Sequence, residues 1–474
     1  MNVRIECKET CLVATVAKPW MPLLHALVSV ATVFCCVLLC DISRASESSR
    51  PNIVLILADD LGYGDLGCYG NKTNRTPHLD QLAKDGLRFL DFHSNGANCS
   101  PTRAALLTGR YQQRSRIDGA LGEGARGLPK SEVTIAERLK QAGYATGLMG
   151  KWHLGYHPDN GPLHHGFDEF VGHLHGATDY ISHVDKYGRM DWWHNDKPVR
   201  ESGHNTELIT KHSVRFIERH GKQPFFLFVS HSAIHFPWMT TEDKAHRREG
   251  TRYEGVVGKL GPHADGPVQP VVQQMIEELD ASVGQIIAAL KRFELDRKTL
   301  VFFTSDNGGI VRMAGVPIRE ENRISSNTPL RGQKHGLYEG GHRVPTIARW
   351  SGHIPAGTTT SETAMTMDLL PTMLDIADLA PPPSTSSNSL DGISIRDLLL
   401  QAKPLWPRHL FWRQGDSRAA RSGQWKIVSI HQRPFELYDL KADIAERKNI
   451  AESHPQMLMK LKKNLSSWGQ SFAK

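Results

Sequence analysis

The segment Cys99-Ser100-Pro101-Thr102-Arg103-Ala104-Ala105-Leu106-Leu107-Thr108-Gly109-Arg110 brings a thiol and a guanidinium to what reads as the start of a helix. Pro101 suits a first helical turn, and Ala104 to Leu107 favour its continuation. Cys99 would then stand at the helix entrance, where unpaired N–H groups and the helix dipole attract an anion. Arg103, on the first turn, can point back to the same spot. A cysteine so placed reads either as a thiolate nucleophile or as a buried thiol. Other polar residues end apolar runs. Asn52 to Ala58 (NIVLILA) leads into Asp59-Asp60-Leu61-Gly62, Phe225 to Ser230 (FFLFVS) into His231, and Leu300 to Thr304 (LVFFT) through Ser305 into Asp306-Asn307. Taken alone, Asp59-Asp60 is as readily a strand-end turn or helix cap as a pair of metal ligands.

These runs have strand length and are apolar throughout, as strands buried on both faces of a parallel sheet are. Ala145 to Met149 is a weaker run of the same kind. Helical patterns fall between them, over Pro77 to Gly86, Val133 to Ala142, Leu208 to Arg219, Val271 to Arg292 and Met367 to Leu379. The alternation predicts an α/β domain over residues 51–380, a mainly parallel central sheet sandwiched by helices. In such sheets the carboxyl ends of the strands form the ligand crevice, so motifs far apart in sequence can converge there. Pro381-Pro382-Pro383 opens a linker or long loop over residues 381–403. In residues 404–474 the pattern changes. His409 to Arg413, Trp425 to Ile430 and Phe435 to Leu440 read as short strands and Pro455 to Trp468 as a helix, a smaller α+β domain with an antiparallel sheet.

The Cys99 segment resembles the signature of the type I, formylglycine-dependent sulfatases, in which Cys-X-Pro-Ser/Thr-Arg is followed by Thr-Gly-Arg. Asp59-Asp60-Leu61-Gly62-Tyr63-Gly64-Asp65-Leu66-Gly67-Cys68-Tyr69-Gly70 resembles the first metal-binding loop of that family, and Ser305-Asp306-Asn307-Gly308-Gly309 the second. Gly150-Lys151-Trp152-His153-Leu154-Gly155 matches its second signature. Leu330-Arg331-Gly332-Gln333-Lys334, with Glu339-Gly340-Gly341 downstream, resembles its sulfate-binding lysine segment. With His235-Phe236-Pro237, these run in family order from Asn52 to Pro345, and Glu436-Leu437-Tyr438-Asp439-Leu440 resembles a C-terminal sulfatase pattern. The resemblance implies an alkaline-phosphatase-like fold and an arylsulfatase-like hydrolase of sulfate monoesters. It implies that a sulfatase-maturing enzyme oxidises Cys99 to Cα-formylglycine, whose hydrate attacks sulfur as a geminal diol and passes through a covalent sulfo-enzyme intermediate.

The same resemblance assigns the other roles. Asp59, Asp60, Asp306, Asn307 and an oxygen of formylglycine 99 are the expected ligands of one metal ion. An all-oxygen, carboxylate-rich set suits Ca²⁺ better than its alternative Mg²⁺, which keeps more water. Arg103, Lys151 and Lys334 would surround the sulfate group, as cations must where negative charge develops. His235 would protonate the leaving alcohol, with Lys334 assisting, and His153 would take a proton from the second hydroxyl. Among 24 histidines, only motif position singles these two out; His231 lies near His235 but lacks the His-Phe-Pro context. Departures from the family pattern are His335 where glycine is frequent, His342 where an apolar residue is common, and Ile444 for a proline in a turn. The two histidines are expected to alter the pocket rim and specificity. The rival readings are a phosphonate or phosphate ester hydrolase of the same superfamily and a catalytically silent sulfoglycan-binding protein. A sulfated carbohydrate is the first substrate expectation and an aryl sulfate the second. Trp192-Trp193 and the histidine-rich stretch from His157 to His183 fall where sulfatases vary, although tryptophans are more often core than sugar platform.

Composition fits this reading. The 474 residues exceed one ordinary core, 39% are hydrophobic and 23% charged, and the net charge of +7 is dispersed, without the gathered basic face that nucleic acid requires. Met21 to Cys40 is apolar and follows Lys18, and the Ser/Ala/Glu-rich SRASESS comes after it, the layout of a secretory signal within residues 1–45. Its length is close to the roughly 20 residues of a membrane span, so an uncleaved anchor is the competing reading, and Cys40 gives a weaker lipoprotein one. Five of the seven cysteines lie in this leader, leaving Cys68 and Cys99, too few for a disulfide framework. The expectation is an exported protein, periplasmic or secreted, bacterial rather than lysosomal.

Overall fold

Asn52–Ala58 takes the middle of the sheet because its apolar side chains need cover on both faces, and all seven of its residues are buried. The computed structural model describes residues 50–253, 260–263, 266–313 and 323–472. The signal or anchor expected over residues 1–45 lies outside the described residues. From one edge to the other the ten-stranded sheet runs Thr358–Thr360, Leu87–Phe89, Thr346–Arg349, Thr299–Ser305, Asn52–Ala58, Phe225–Ser230, Ala145–Lys151, Glu169–His173, Trp193–His194 and Lys197–Pro198. The five strands from Thr299–Ser305 to Glu169–His173 are all parallel, and antiparallel neighbours appear only toward the edges.

Successive residues of the central strand serve two cores, as the two-residue period of a strand demands. Val54 and Ile56 pack with Ile209, Phe216, Ile276 and Leu279 of the helices Asn205–His220 and Val268–Arg292. Ile53, Leu55 and Leu57 pack with Leu106, Leu139, Leu369 and Met373 of the helices Cys99–Thr108, Ile135–Gln141 and Leu369–Ile376. The expected mainly parallel sheet between helices is therefore observed. The helix Ile135–Gln141 starts at a reciprocal cap, in which the Thr134 side chain accepts from the Glu137 N–H and the Glu137 carboxylate from the Thr134 N–H.

Two strands have the expected bounds, and Ala145 to Met149 runs on to Lys151. Leu87–Phe89, Glu169–His173 and Thr346–Arg349 were not expected; each has five residues or fewer and no long apolar run. The stretch expected as linker contains a helix, Arg396–Gln401, which buries Leu398 and Leu399. Six residues are too few to establish a helical period.

The C-terminal sheet has four strands in sequential antiparallel order, His409–Gln414, Ser417–Ser422, Trp425–Ser429 and Glu436–Asp439. The second, SRAARS, escaped the sequence reading because it has no bulky apolar residue. Alternation again assigns the faces. Ala420, Ile427 and Leu437 meet Leu461 and Leu465 of the helix Pro455–Gln470. Ala419, Val428, Tyr438 and Trp412 meet Ala97, Ala105 and Leu337, so this sheet supports the helix that begins at Cys99.

A buried ionic network crosses the same contact. Lys426 Nζ donates to Glu339 Oε1 at 2.8 Å and pairs with Glu446 Oε1 at 2.9 Å, all three side chains being shut off from solvent. Arg421 pairs with Asp91 at 2.5 Å, and His342 stacks on Trp412 with its ring centroid 4.3 Å away. His342 is therefore a member of this interior cluster, not of the pocket rim where the sequence reading put it. An expected result follows for stability. Lys426→Met leaves Glu446 buried beside Glu339 with no neutralising ammonium, and should lower the unfolding free energy by about 3 to 5 kcal/mol. A urea titration checks this; an unshifted midpoint at unchanged slope would refute it.

Candidate active site

Four adjacent parallel strands deliver polar residues at their carboxyl ends. Asp59-Asp60 follow Ala58, Lys151 closes its strand, Ser230 closes another with His231 to His235 just beyond, and Asp306-Asn307 follow Ser305. Ala58 is in register with Ser305, and Ser230 with both Leu57 and Gly150, so these residues leave the sheet from neighbouring points. The turn after Asn307 has no space for side chains: a Cβ at Gly308 would lie 1.9 Å from the Gly340 carbonyl oxygen. At the next residue the Lys334 N–H donates to the Gly309 carbonyl at 3.2 Å, tying the lysine segment to the strand-end loop.

Cys99 opens the helix Cys99–Thr108 after an extended Asn98, as the sequence predicts, and every residue of that helix is buried. Gly109, at a φ of 66°, ends it, its N–H donating to the Ala105 carbonyl. The Cys99 residue is 2% exposed, and burial pushes its thiol pKa up, against the pull of Lys151 and Lys334.

Arg103 projects from the first turn of this helix and is held on two sides. Its Nε and Nη2 donate to Asp306 Oδ2 at 3.1 and 2.8 Å, and its Nη1 donates to Ser230 Oγ at 2.6 Å and to the Lys151 carbonyl at 3.1 Å. Lys151 Nζ donates to Asp59 Oδ2, and Lys334 Nζ to Asp60 Oδ1 at 2.6 Å. Each expected sulfate-binding cation is thus paired with an expected metal-ligating carboxylate, and all six side chains are buried. Burial pushes the Asp60 carboxyl up, yet Lys334 and His235 overcome it and hold it well below the usual carboxylate range. Asp306 goes the other way, to about 6, through burial and repulsion from Asp59 against Arg103 and Lys151.

The donor set fits a hard divalent cation. Asp59 Oδ1, Asp60 Oδ2 and Asn307 Oδ1 are buried oxygens with no hydrogen-bond partner. Leaving such acceptors unpaired costs about 1–3 kcal/mol each, which coordination would offset. Asp306 Oδ1 accepts from the Asp60 N–H at 3.3 Å and keeps lone-pair capacity for a metal. Three carboxylates and an amide oxygen, with no sulfur or nitrogen among these orphaned atoms, are the chemistry of Ca²⁺ or Mg²⁺.

The two expected histidines lie at this focus. His235 Nδ1 shares a 2.6 Å hydrogen bond with the Phe236 carbonyl, which can only accept, so Nε2 is the nitrogen left for chemistry; it is 3.8 Å from Asp60 Oδ2. By the same logic His153 gives its Nε2–H to the Leu121 carbonyl at 3.3 Å, leaving Nδ1 a buried, unpartnered proton acceptor. Burial first, then Lys334 for His235 and Lys151 for His153, holds both imidazoles well below their ordinary range. His231 is fully buried at Ser282 Oγ, 3.1 Å away, and does not line the cavity described next.

Cys99, His153, His235 and Lys334 open onto one cavity of about 440 Å³. His335 lies on it as expected. Its other walls include Tyr156, His175, Lys186 and Arg312, none of which the sequence singled out; only His175 fell within the histidine-rich stretch. Ser230, which holds Arg103, was also missed, since a serine ending an apolar strand has no distinguishing spacing. Trp192 is wholly buried core stacked on His183, and neither it nor Trp193 lines the cavity.

The family model described as Sulfatase matches residues 51–379. This chain belongs to the sulfatase family. A second model, N-sulphoglucosamine sulphohydrolase, C-terminal, matches residues 333–470 of this sulfatase. Its relatives include N-acetylgalactosamine-6-sulfatase of Canis lupus familiaris, 35% identical over 408 residues, which cover 81% of this chain and 73% of that one. Arylsulfatase A of Homo sapiens is 35% identical over 470 residues, covering 87% and 86% of the two chains. Among solved structures, Ps i-CgsB in complex with k-i-k-neocarrahexaose superposes with a TM-score of 0.76 at 29% identity, covering 89% of this chain and 93% of that one. PsFucS1 sulfatase from Pseudoalteromonas sp. gives 0.72 at 25% identity, covering 91% and 92%. The sulfatase is accordingly a sulfuric ester hydrolase with an alkaline-phosphatase-like fold.

Proposed function

We propose that this sulfatase hydrolyses sulfate esters of a carbohydrate, with formylglycine formed from Cys99 as its nucleophile. The observation that carries the reading is the convergence of Cys99, Arg103, Lys151 and Lys334 on one buried point beside oxygens that lack partners. Formylglycine, hydrated at position 99, supplies two hydroxyls, one to attack sulfur and one whose deprotonation expels sulfate. Asp59, Asp60, Asp306 and Asn307 would hold a Ca²⁺ ion, which polarises the oxygens near it and lowers the cost of charge on them.

The remaining work falls to side chains. Lys151 and Lys334, fixed by carboxylates, present positive charge to the sulfuryl oxygens, and a buried site strengthens that attraction. Arg103, on the first turn of the helix, is held at three of its nitrogens and would present its charge beside position 99. Lys334 stands on the cavity where the leaving alcohol departs and would supply its proton, with His235 able to do so from Nε2 only as an imidazolium; His153 Nδ1 would accept the proton of the second hydroxyl. The carbohydrate reading is supported by a relative named N-acetylgalactosamine-6-sulfatase and by the similar structure in complex with k-i-k-neocarrahexaose. Formylglycine at position 99 would require a maturing enzyme as partner, and the leader supports export to the periplasm or exterior.

The test compares kcat/KM on matched sulfate and phosphate monoesters, then on a set of defined sulfated saccharides. Sulfate should be preferred and at least one saccharide should turn over. A preference for phosphate would establish the rival hydrolase reading, and no turnover of either ester by matured protein the silent binder.

A further inference from the structure

The cavity above Cys99 is charged in one sense beyond the sulfate cradle. Lys186 and Arg312 line it, and no carboxylate does so among the described residues. Among the described residues, two acids near Lys186 are engaged elsewhere: Asp185 binds Arg189 at 3.0 Å, and Asp191 accepts from the backbone of Leu174 and His175. Both cations are positioned by the walls they belong to. Lys186 lies 5.0 Å from the Tyr187 ring centroid, and that ring meets His175 edge-on at 5.5 Å. His175 in turn packs on Tyr156 at 4.6 Å and stacks with His153, so an aromatic wall runs from the catalytic focus out to Lys186. On the other wall, Gln333, next to Lys334, accepts from the Val311 and Arg312 N–H groups at 3.0 and 2.9 Å and donates to the Arg312 carbonyl at 3.0 Å. The residue beside a cradle lysine thereby sets where Arg312 stands.

A monosulfated ligand in the cradle would leave these two cations, one half-buried and one exposed at the cavity, with no anion of the ligand to answer them. We infer that the substrate carries a second anionic group, a sulfate ester or a carboxylate on the same or an adjoining sugar, recognised by Lys186 and Arg312. This rests on the carbohydrate reading above and narrows it to polyanionic saccharides. Guanidinium and ammonium groups on separate walls would discriminate by position as well as charge, since the second anion must reach them while the first occupies the cradle.

The experiment is competitive inhibition of aryl sulfate hydrolysis by three disaccharides of one backbone, carrying one sulfate, two sulfates, or one sulfate and one carboxylate. For the native protein the second anion should lower Ki about tenfold, the scale of one charge-assisted contact. Whether sulfate or carboxylate gives the gain identifies which anion is read. Lys186→Ala with Arg312→Ala should erase most of that gain, while KM for the aryl ester, which lacks the second anion, changes far less. Equal Ki values for all three disaccharides, or a double variant that keeps the gain, would overturn the inference. Inhibition by none of them, with aryl turnover intact, would overturn both it and the carbohydrate reading; equal Ki values with inhibition by all would leave that reading standing.

Discussion

Asp306→Ala should cost the protein most of the divalent metal proposed for this site and lower kcat/KM on the order of 10³-fold, equivalent to about 4 kcal/mol. Two losses combine. The expected metal shell loses a charged ligand, and Arg103 loses the carboxylate that binds its Nε and Nη2. Arg103 would then be a fully buried cation hydrogen-bonded only at Nη1, to Ser230 and a carbonyl, with a longer ion pair of 3.7 Å from Nη2 to Asp59 Oδ2. Asp306→Asn keeps the shape and removes the charge, so it isolates the electrostatic part of both losses. Asn307→Ala should cost less, about 10- to 100-fold, since a neutral oxygen contributes less electrostatic energy. Metal content by atomic emission, measured with turnover on the same samples, checks the ranking. Native turnover by an Asp306→Ala protein free of metal would refute the oxygen cage.

Most of this site was readable because its chemistry sits on strong local signals. The apolar runs NIVLILA and FFLFVS can only be interior strands, and strands of that kind end at a common crevice. Asp59-Asp60 and Asp306-Asn307 therefore came with a place as well as a type. Lys151, Lys334, His153 and His235 had no such support from periodicity; the family resemblance alone separated them from other lysines and histidines. What stayed illegible depends on contacts across long sequence separations. Arg421 and Lys426 close a buried charge network with Asp91 and Glu339 that no spacing foretells, and it took His342 away from the rim. Lys186 and Arg312 meet on one cavity only because separate loops converge there. Short strands such as Leu87–Phe89 were missed because three residues form a strand through neighbours, not through their own pattern.

The other large effect concerns Cys99 itself. Cys99→Ala should abolish turnover with little loss of stability, because the thiol, although 2% exposed, sits at a helix start where a smaller side chain leaves a small void. Cys99→Ser is the more discriminating change. Serine keeps a hydroxyl able to attack sulfur but has no second hydroxyl through which to expel sulfate. It should stop after at most one turnover as a sulfated protein, and steady-state kcat should fall by roughly 10⁴-fold or more, the loss typical when a covalent nucleophile is disabled. A hydrolase using a free water instead of a diol would keep cycling. Continued turnover by a Cys99→Ser protein whose introduced serine is shown to be unmodified would exclude the diol.

The most direct measurement is the mass of the peptide that contains Cys99, taken from protein matured beside its converting enzyme and assayed for sulfate ester hydrolysis in the same preparation. Conversion replaces H₂S by O, so the account predicts a peptide lighter by that difference, in a proportion that tracks specific activity across preparations. Full activity in a preparation whose peptide retains the intact Cys99 thiol would contradict it.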